Sequence, residues 1–186
     1  MARKPFLAGR QEFGAAYGVN PTQVTQWVAR GALDYERAVI VSGSPYWLLS
    51  FVKDYGQSRP RPKQVDEGVL DRLAAEQEPG WWAKDVDELP PVVGLQEVTQ
   101  LFGMTSQQNM SAFVRQDKFL QADYQLSGSP LWLLDTVVEG APQLQAKART
   151  LSWAVDPQVE AALRQRRYDG PGSRIVARGL AAKKAV

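Results

Sequence analysis

Apolar residues recur along this chain at helical spacing in short stretches separated by polar turns. Phe13 and Tyr17 share one face of a predicted short helix from Gln11 to Ala16. Gly18 supplies a tight turn where a positive φ costs little, and Val19 plugs the core behind it. Asn20 suits an N-cap and Pro21 the first helical position, so a second helix is predicted from there to Arg30. Its inward stripe is Val24, Trp27 and Val28, and Gly31 ends it. Farther on, Asp66 caps a predicted helix from Glu67 to about Glu78, with Val69, Leu70 and Leu73 on one face and Pro79-Gly80 as its stop.

The pattern then repeats. Ser42-Gly43-Ser44-Pro45-Tyr46-Trp47-Leu48-Leu49 returns 85 residues later as Ser127-Gly128-Ser129-Pro130-Leu131-Trp132-Leu133-Leu134. The same offset places Gln11-Glu12 on Gln96-Glu97, Gly18 on Gly103, Gln23 on Gln108 and Arg30 on Arg115. Self-similarity at a fixed spacing means that one structural unit is used twice. A small polar turn followed by an aromatic and two leucines predicts a hairpin tip, its return strand and a helix start. Val155-Asp156, Val159 and Leu163 also align with Val65-Asp66, Val69 and Leu73, at an offset of 90, so each unit includes a following helix.

The expected fold is mainly α with small β-hairpin wings: two tandem winged helix-turn-helix modules, each followed by an extra helix. The expected segments are a basic N-terminal arm (1–10), a first module (11–56) and a linker with a helix and Trp81-Trp82 (57–92). A second module (93–140) and a C-terminal helix with a basic tail (141–186) complete the chain. The second copy opens at Gly94-Leu95-Gln96-Glu97-Val98, turns at Gly103 and has Thr105 as the N-cap of its second helix. Ala112 falls where the first copy has Trp27, and Phe113 is expected to assume that packing role by a small shift. Ala141-Pro142 is expected to break the chain, and Asp156-Pro157 to start a helix running to about Tyr168.

Composition narrows the chemistry. Neither cysteine nor histidine occurs, which removes disulfides, thiolate and imidazole metal sites, and Ser-His-Asp arrangements. No catalytic group, metal or cofactor is expected, and no small-molecule ligand. The opening residues lack the apolar run of a signal peptide and no apolar stretch approaches a membrane span, so a cytoplasmic, nucleoid-associated protein is expected. Charge is distributed unevenly: residues 1–63 carry nine Lys/Arg against four Asp/Glu, 64–140 four against thirteen, and 141–186 nine against three. Basic ends around an acidic middle suggest that the ends meet a polyanion.

The second predicted helix projects Thr22, Gln23, Thr25, Gln26 and Arg30 away from its apolar stripe. Glutamine can pair bidentately with adenine and arginine with guanine, and threonine reaches a base or a phosphate. The run from Gly18 to Leu33 resembles the helix-turn-helix of MerR-like, excisionase-like and AlpA-like winged-helix proteins. In that pattern a Gly-Val turn precedes a Ser/Thr/Gln-rich helix ending in Trp, a basic residue and Gly. The resemblance implies wing strands at Ala38–Ser42 and Pro45–Leu48, a closing helix at Leu49–Tyr55, and DNA binding. It puts the second helix in a major groove and the wing on the backbone. Relatives often carry arginine at the wing tip, whereas this chain has Ser42 and Ser44, and Ser127 and Ser129 in the second copy.

The expected partner is therefore double-stranded DNA, bound sequence-specifically by a non-enzymatic transcriptional regulator or architectural factor. Two same-sense copies in one chain predict a target of direct repeats. The first module contributes the residues above together with Arg59 and Arg61 of the Pro-rich linker; the second contributes Ser106, Gln107, Gln108, Ser111 and Arg115; the C-terminal helix contributes Arg164, Arg166 and Arg167. The arm, with Arg3, Lys4 and Arg10, reads equally as an unstructured terminus or as an arm on a phosphate backbone. Arg174, Arg178, Lys183 and Lys184 extend the basic tail as a nonspecific grip. Trp81 and Trp82 suit packing against a module, or contact with a second subunit or partner protein. The rival function is a protein-interaction adaptor, for plasmid segregation or excision, using the acidic middle and the degenerate second module.

Overall fold

A computed structural model describes residues 3–149 and 151–175, and in it the two copies of the repeat share one order of elements. The first copy is preceded by β1 (Lys4–Pro5) and opens with β2 (Leu7–Ala8). It continues with helices α1 (Arg10–Ala16) and α2 (Pro21–Ala29), strands β3 (Ala38–Val41) and β4 (Ser44–Leu48), and helices α3 (Leu49–Tyr55) and α4 (Glu67–Glu76). A connector holding β5 (Gly80–Trp81) and a 3₁₀ turn (Val86–Glu88) leads to the second copy. There β6 (Val92–Val93), α5 (Leu95–Leu101), α6 (Gln107–Arg115), β7 (Tyr124–Leu126), β8 (Ser129–Leu133), α7 (Leu134–Lys147) and α8 (Pro157–Arg164) follow in the same order. Among the described residues the protein is thus mixed α/β, with eight α-helices and small, mostly antiparallel sheets.

Each copy builds a three-stranded antiparallel sheet, in the order β2-β4-β3 and β6-β8-β7. The central strand sorts its side chains by the two-residue period of a pleat. Trp47 points into the first copy's core with Phe13, Tyr17, Val24 and Tyr55; Trp132 points into the second with Phe102, Phe119 and Trp153. Each indole N–H donates to a backbone carbonyl, of Asp34 or of Leu120. The alternate residues Tyr46, Leu48, Leu131 and Leu133 face the other way and meet in a third core between the two sheets, with Leu7, Val41, Tyr124 and Leu126. Helices lie outside, sheets lie inside, and the copies are joined face to face.

The extra helices pack as the offset of 90 predicts, α4 on the first core through Leu70 and Leu73 and α8 on the second through Leu163. Asp66 N–H donates to Ala16 O and Asp156 N–H to Leu101 O, both at 2.8 Å, so equivalent carbonyls anchor equivalent caps.

Three expectations are corrected. The N-terminal segment is not a free arm: β1 pairs in parallel with β5, β2 joins the first sheet, and Lys4 is 2% exposed with its ammonium over the Tyr124 ring. Helix α7 does not break at Ala141-Pro142, because the apolar stripe Val137, Ala141 and Leu144 stays buried beyond it. The N-cap of α6 is Ser106 rather than Thr105, so α6 lies 86 residues after α2 instead of 85. That shift puts Phe113 where Trp27 stands, in the packing role expected of it, and Asp117 (φ +54°) where Gly31 (φ +70°) does.

Candidate nucleic-acid interface

The turn of the first hairpin does not project into solvent. Ser42 donates its N–H and hydroxyl to the two carboxylate oxygens of Glu97, at 2.8 and 2.6 Å, and its oxygen accepts the Gln96 N–H at 3.0 Å. Ser127 repeats this on the first copy: its N–H and hydroxyl donate to Glu12, both at 2.7 Å, and its oxygen accepts the Gln11 N–H at 3.0 Å. The chemistry is helix capping supplied from elsewhere. Helices α1 and α5 begin at glycines, Gly9 and Gly94, which have no side chain to accept from the first turn. The serine of the opposite copy takes that place, and the glutamate at the third helical position accepts the glycine N–H at 3.0 Å. Glycine is also required by the close approach, since a β-carbon on Gly9 would collide with the Ser127 hydroxyl and one on Gly94 with that of Ser42.

Ser42 and Ser127, predicted to touch a DNA backbone, are therefore corrected to structural caps whose donors are already used. The sequence carried a signal for this: Gln11-Glu12 and Gln96-Glu97 fall in register, with glycine three residues before each glutamate.

Between the two capped ends lies a cavity of about 350 Å³. Ser44 and Ser129 line it, together with Tyr46, Arg10, Gln11 and Gln96. The first residues of the two second helices, Pro21 and Gln107, stand on its wall. Burial pushes the Tyr46 phenol above its usual range, against the opposing effect of its hydrogen bond with Ser129. The cavity thus brings together the N-terminal ends of α2 and α6, which the sequence could not relate.

Helix α2 exposes Thr22, Gln23, Thr25, Gln26 and Arg30, as its stripe predicts. The Asn20 side chain accepts the Gln23 N–H, and the Thr25 hydroxyl donates back to Pro21 O. At the far end of the helix, Arg30, Arg59 and Arg61 line one groove of about 500 Å³. Arg59 is held there with its guanidinium 4.9 Å from the centre of the Trp27 ring and 5.4 Å from that of Tyr55, and Lys63 stands over Trp27 as well. Three predicted cations from two segments are thereby gathered beside one helix.

The second copy offers less. Gln107, Gln108, Asn109 and Arg115 are exposed on α6, but Ser106 and Ser111 are half-buried. With the shifted register, Arg115 stands where Ala29 does and Gln116 where Arg30 does. The C-terminal arginines also divide. Arg164 pairs with Glu160 and Asp135, which hold its guanidinium pKa above the usual value. Arg166 donates to the Asp87 carboxylate and to the carbonyls of Asp87 and Leu89. These two are corrected from DNA contacts to ties between α8 and the rest of the chain, which leaves Arg167 exposed without a side-chain partner among the described residues. Arg174 is exposed, while Arg178, Lys183 and Lys184 lie outside the described residues.

Trp81 sits in β5, and Trp82 packs edge-on against Phe6 while remaining 40% exposed. Among the described residues, no group of three or more carboxylates could hold a metal ion, and no helix is long and apolar enough to cross a membrane. Comparisons of the chain with protein-family models, with curated proteins and with solved structures return no match.

Proposed function

We propose that this protein binds double-stranded DNA without catalysing a reaction on it, as a transcriptional regulator or architectural factor built from two winged helix-turn-helix modules. The kinship proposed is with MerR-like, excisionase-like and AlpA-like proteins, on the strength of the Gly18–Leu33 run. In this reading α2 and α6 enter the major groove and read base edges. The observation that carries it is the exposed row of hydroxyls, amides and a guanidinium on α2, continuous with the Arg30, Arg59 and Arg61 groove. Amides, hydroxyls and the Arg30 guanidinium recognise bases, whereas Arg59 and Arg61 in the groove suit phosphates, which position a protein without reading sequence.

Mobility shifts over a salt series test this. Gln23→Ala and Gln26→Ala relax sequence preference while leaving the salt slope unchanged. Arg59→Ala and Arg61→Ala weaken specific and random DNA alike, and each lowers the slope by about one. Equal losses on both kinds of DNA from all four variants contradict the assignment.

A second reading is favoured by one feature. Trp82 leaves 40% of its surface exposed beside a groove of about 600 Å³ lined by Phe51, Tyr55, Asp34 and Arg37. An aromatic anchor beside mixed charge suits a protein partner, or a second copy of this chain, docked while DNA is held.

A further inference from the structure

The two copies are not related by a simple translation. What Ser42 does to Gly94, Gln96 and Glu97, Ser127 does to Gly9, Gln11 and Glu12. Contacts that reciprocate in this way are the mark of a two-fold rotation. The chain builds within itself the symmetry that helix-turn-helix proteins otherwise obtain by dimerisation, and a two-fold pair of readers matches inverted half-sites. Resting on the assignment of α2 and α6 as DNA readers, we infer that one chain recognises one inverted repeat made of two unlike half-sites, and does so in one orientation. This replaces the direct repeat expected from the sequence.

Two observations define that target further. Pro21 and Gln107 line the same cavity near the two-fold axis, so the half-sites lie close together, their centres separated by no more than about one helical turn of 10 bp. The readers also differ residue by residue in the register that α6 adopts. Gln23 faces the duplex where Asn109 does, Thr25 where Ser111 does, Gln26 where Ala112 does, and Arg30 where Gln116 does. Glutamine and asparagine both pair with adenine, so that position is matched in the two halves. At the Gln26 position the first half-site meets a bidentate amide and the second meets only a methyl group, which suits the thymine methyl at most. Arg30 has the guanidinium that suits guanine, and Gln116 has not. Perfect palindromes are thereby disfavoured.

The test is selection of bound sequences from random duplex DNA with the full chain, followed by the mass of the complex on the selected duplex. The expected result is an inverted arrangement of two related but unlike halves, with one chain per duplex. Gln26→Ala then lowers base preference about 10- to 100-fold at one position of one half and leaves the other half unchanged. Ala112→Gln adds preference in the second half and makes the selected site more palindromic. Enrichment of a direct repeat, of a single half-site, or of a perfect palindrome holding two chains overturns the inference and leaves DNA binding standing. No enrichment and no salt-dependent binding overturn both.

Discussion

The two copies treat their shared parts in opposite ways. Where they meet, they are the same: serine on glycine, serine on the N–H of glutamine, serine on glutamate, in both directions. Where they face outward, they diverge. Helix α2 exposes a full row of amides and hydroxyls and stands beside three arginines, while α6 has Ala112 where α2 has Gln26, and half-buried serines. The cores diverge too, the first closed by Trp27 under Arg59 and Lys63, the second by Trp153 from the segment after α7, edge-on to Phe102 and Phe113. A self-complementary joint constrains both partners at once, so a change on one side must be answered on the other. An outward face has no such partner and is free to specialise.

The joint is where substitution costs most. Glu97 is 3% exposed and accepts from Ser42 twice and from Gly94 once. Glu97→Ala strands all three donors and is expected to destabilise the fold by about 3 kcal/mol or more in urea unfolding. Glu12→Ala does the same to Ser127 and Gly9 in a half-buried site, where water can replace part of the loss, and costs about 2 kcal/mol. Equal effects, or none, would break the asymmetry between the two ends of the joint. Ser42→Ala and Ser127→Ala each remove one cap and one charge-assisted hydrogen bond, for about 1–2 kcal/mol. Combined with its own glutamate partner, each serine variant is expected to be less than additive; combined with the other serine, closer to additive.

Much of this architecture is legible in the sequence, for identifiable reasons. Helix α3 runs over Leu49–Tyr55 as predicted, and α4 and α8 start at Asp66 and Asp156 because an aspartate cap precedes an apolar stripe. The outward row on α2 follows from the placing of Val24, Trp27 and Val28. The rotation between the copies does not follow, since a repeat offset says that a unit recurs and nothing about its direction in space. Nor does the true partner of the hairpin tips. Ser42 reads as a solvent-facing turn until Glu97, 55 residues away, is brought to it. The one-residue shift in α6 is hidden because Gln107 and Gln108 are alike, so both registers place a glutamine opposite Gln23 or its neighbour. Arg164 and Arg166 mislead for a plainer reason: charge reveals a demand for a counter-charge, and Asp87, Asp135 and Glu160 supply it from within.

The smallest effect concerns pH. Tyr46 and Tyr124 lie in the core between the two sheets, and burial raises both phenols above their usual value of 10.0. The fold favours the neutral phenol, so this contribution is fully present below pH 10 and is lost as pH rises beyond it. Stability from this source is expected to fall in that alkaline range, and less steeply in Tyr46→Phe than in the wild type. A fall of equal steepness in that variant would place the sensitivity at buried phenols other than Tyr46.

The absence of cysteine makes the joint itself open to a direct measurement. A β-carbon on Gly94 would stand 3.1 Å from that of Ser42, and one on Gly9 would stand 3.0 Å from that of Ser127, about half an ångström inside the disulfide range. In the Cys pairs the serine oxygen that excludes a β-carbon is replaced by the bonded sulfur, so an opening of that size closes the bond. Ser42→Cys with Gly94→Cys, and separately Gly9→Cys with Ser127→Cys, should each close an intramolecular disulfide on mild oxidation, seen as a monomer of unchanged mass class with faster migration before reduction. Closure of only one pair, or bonds formed only between chains, would mean that the two copies are not joined by reciprocal caps.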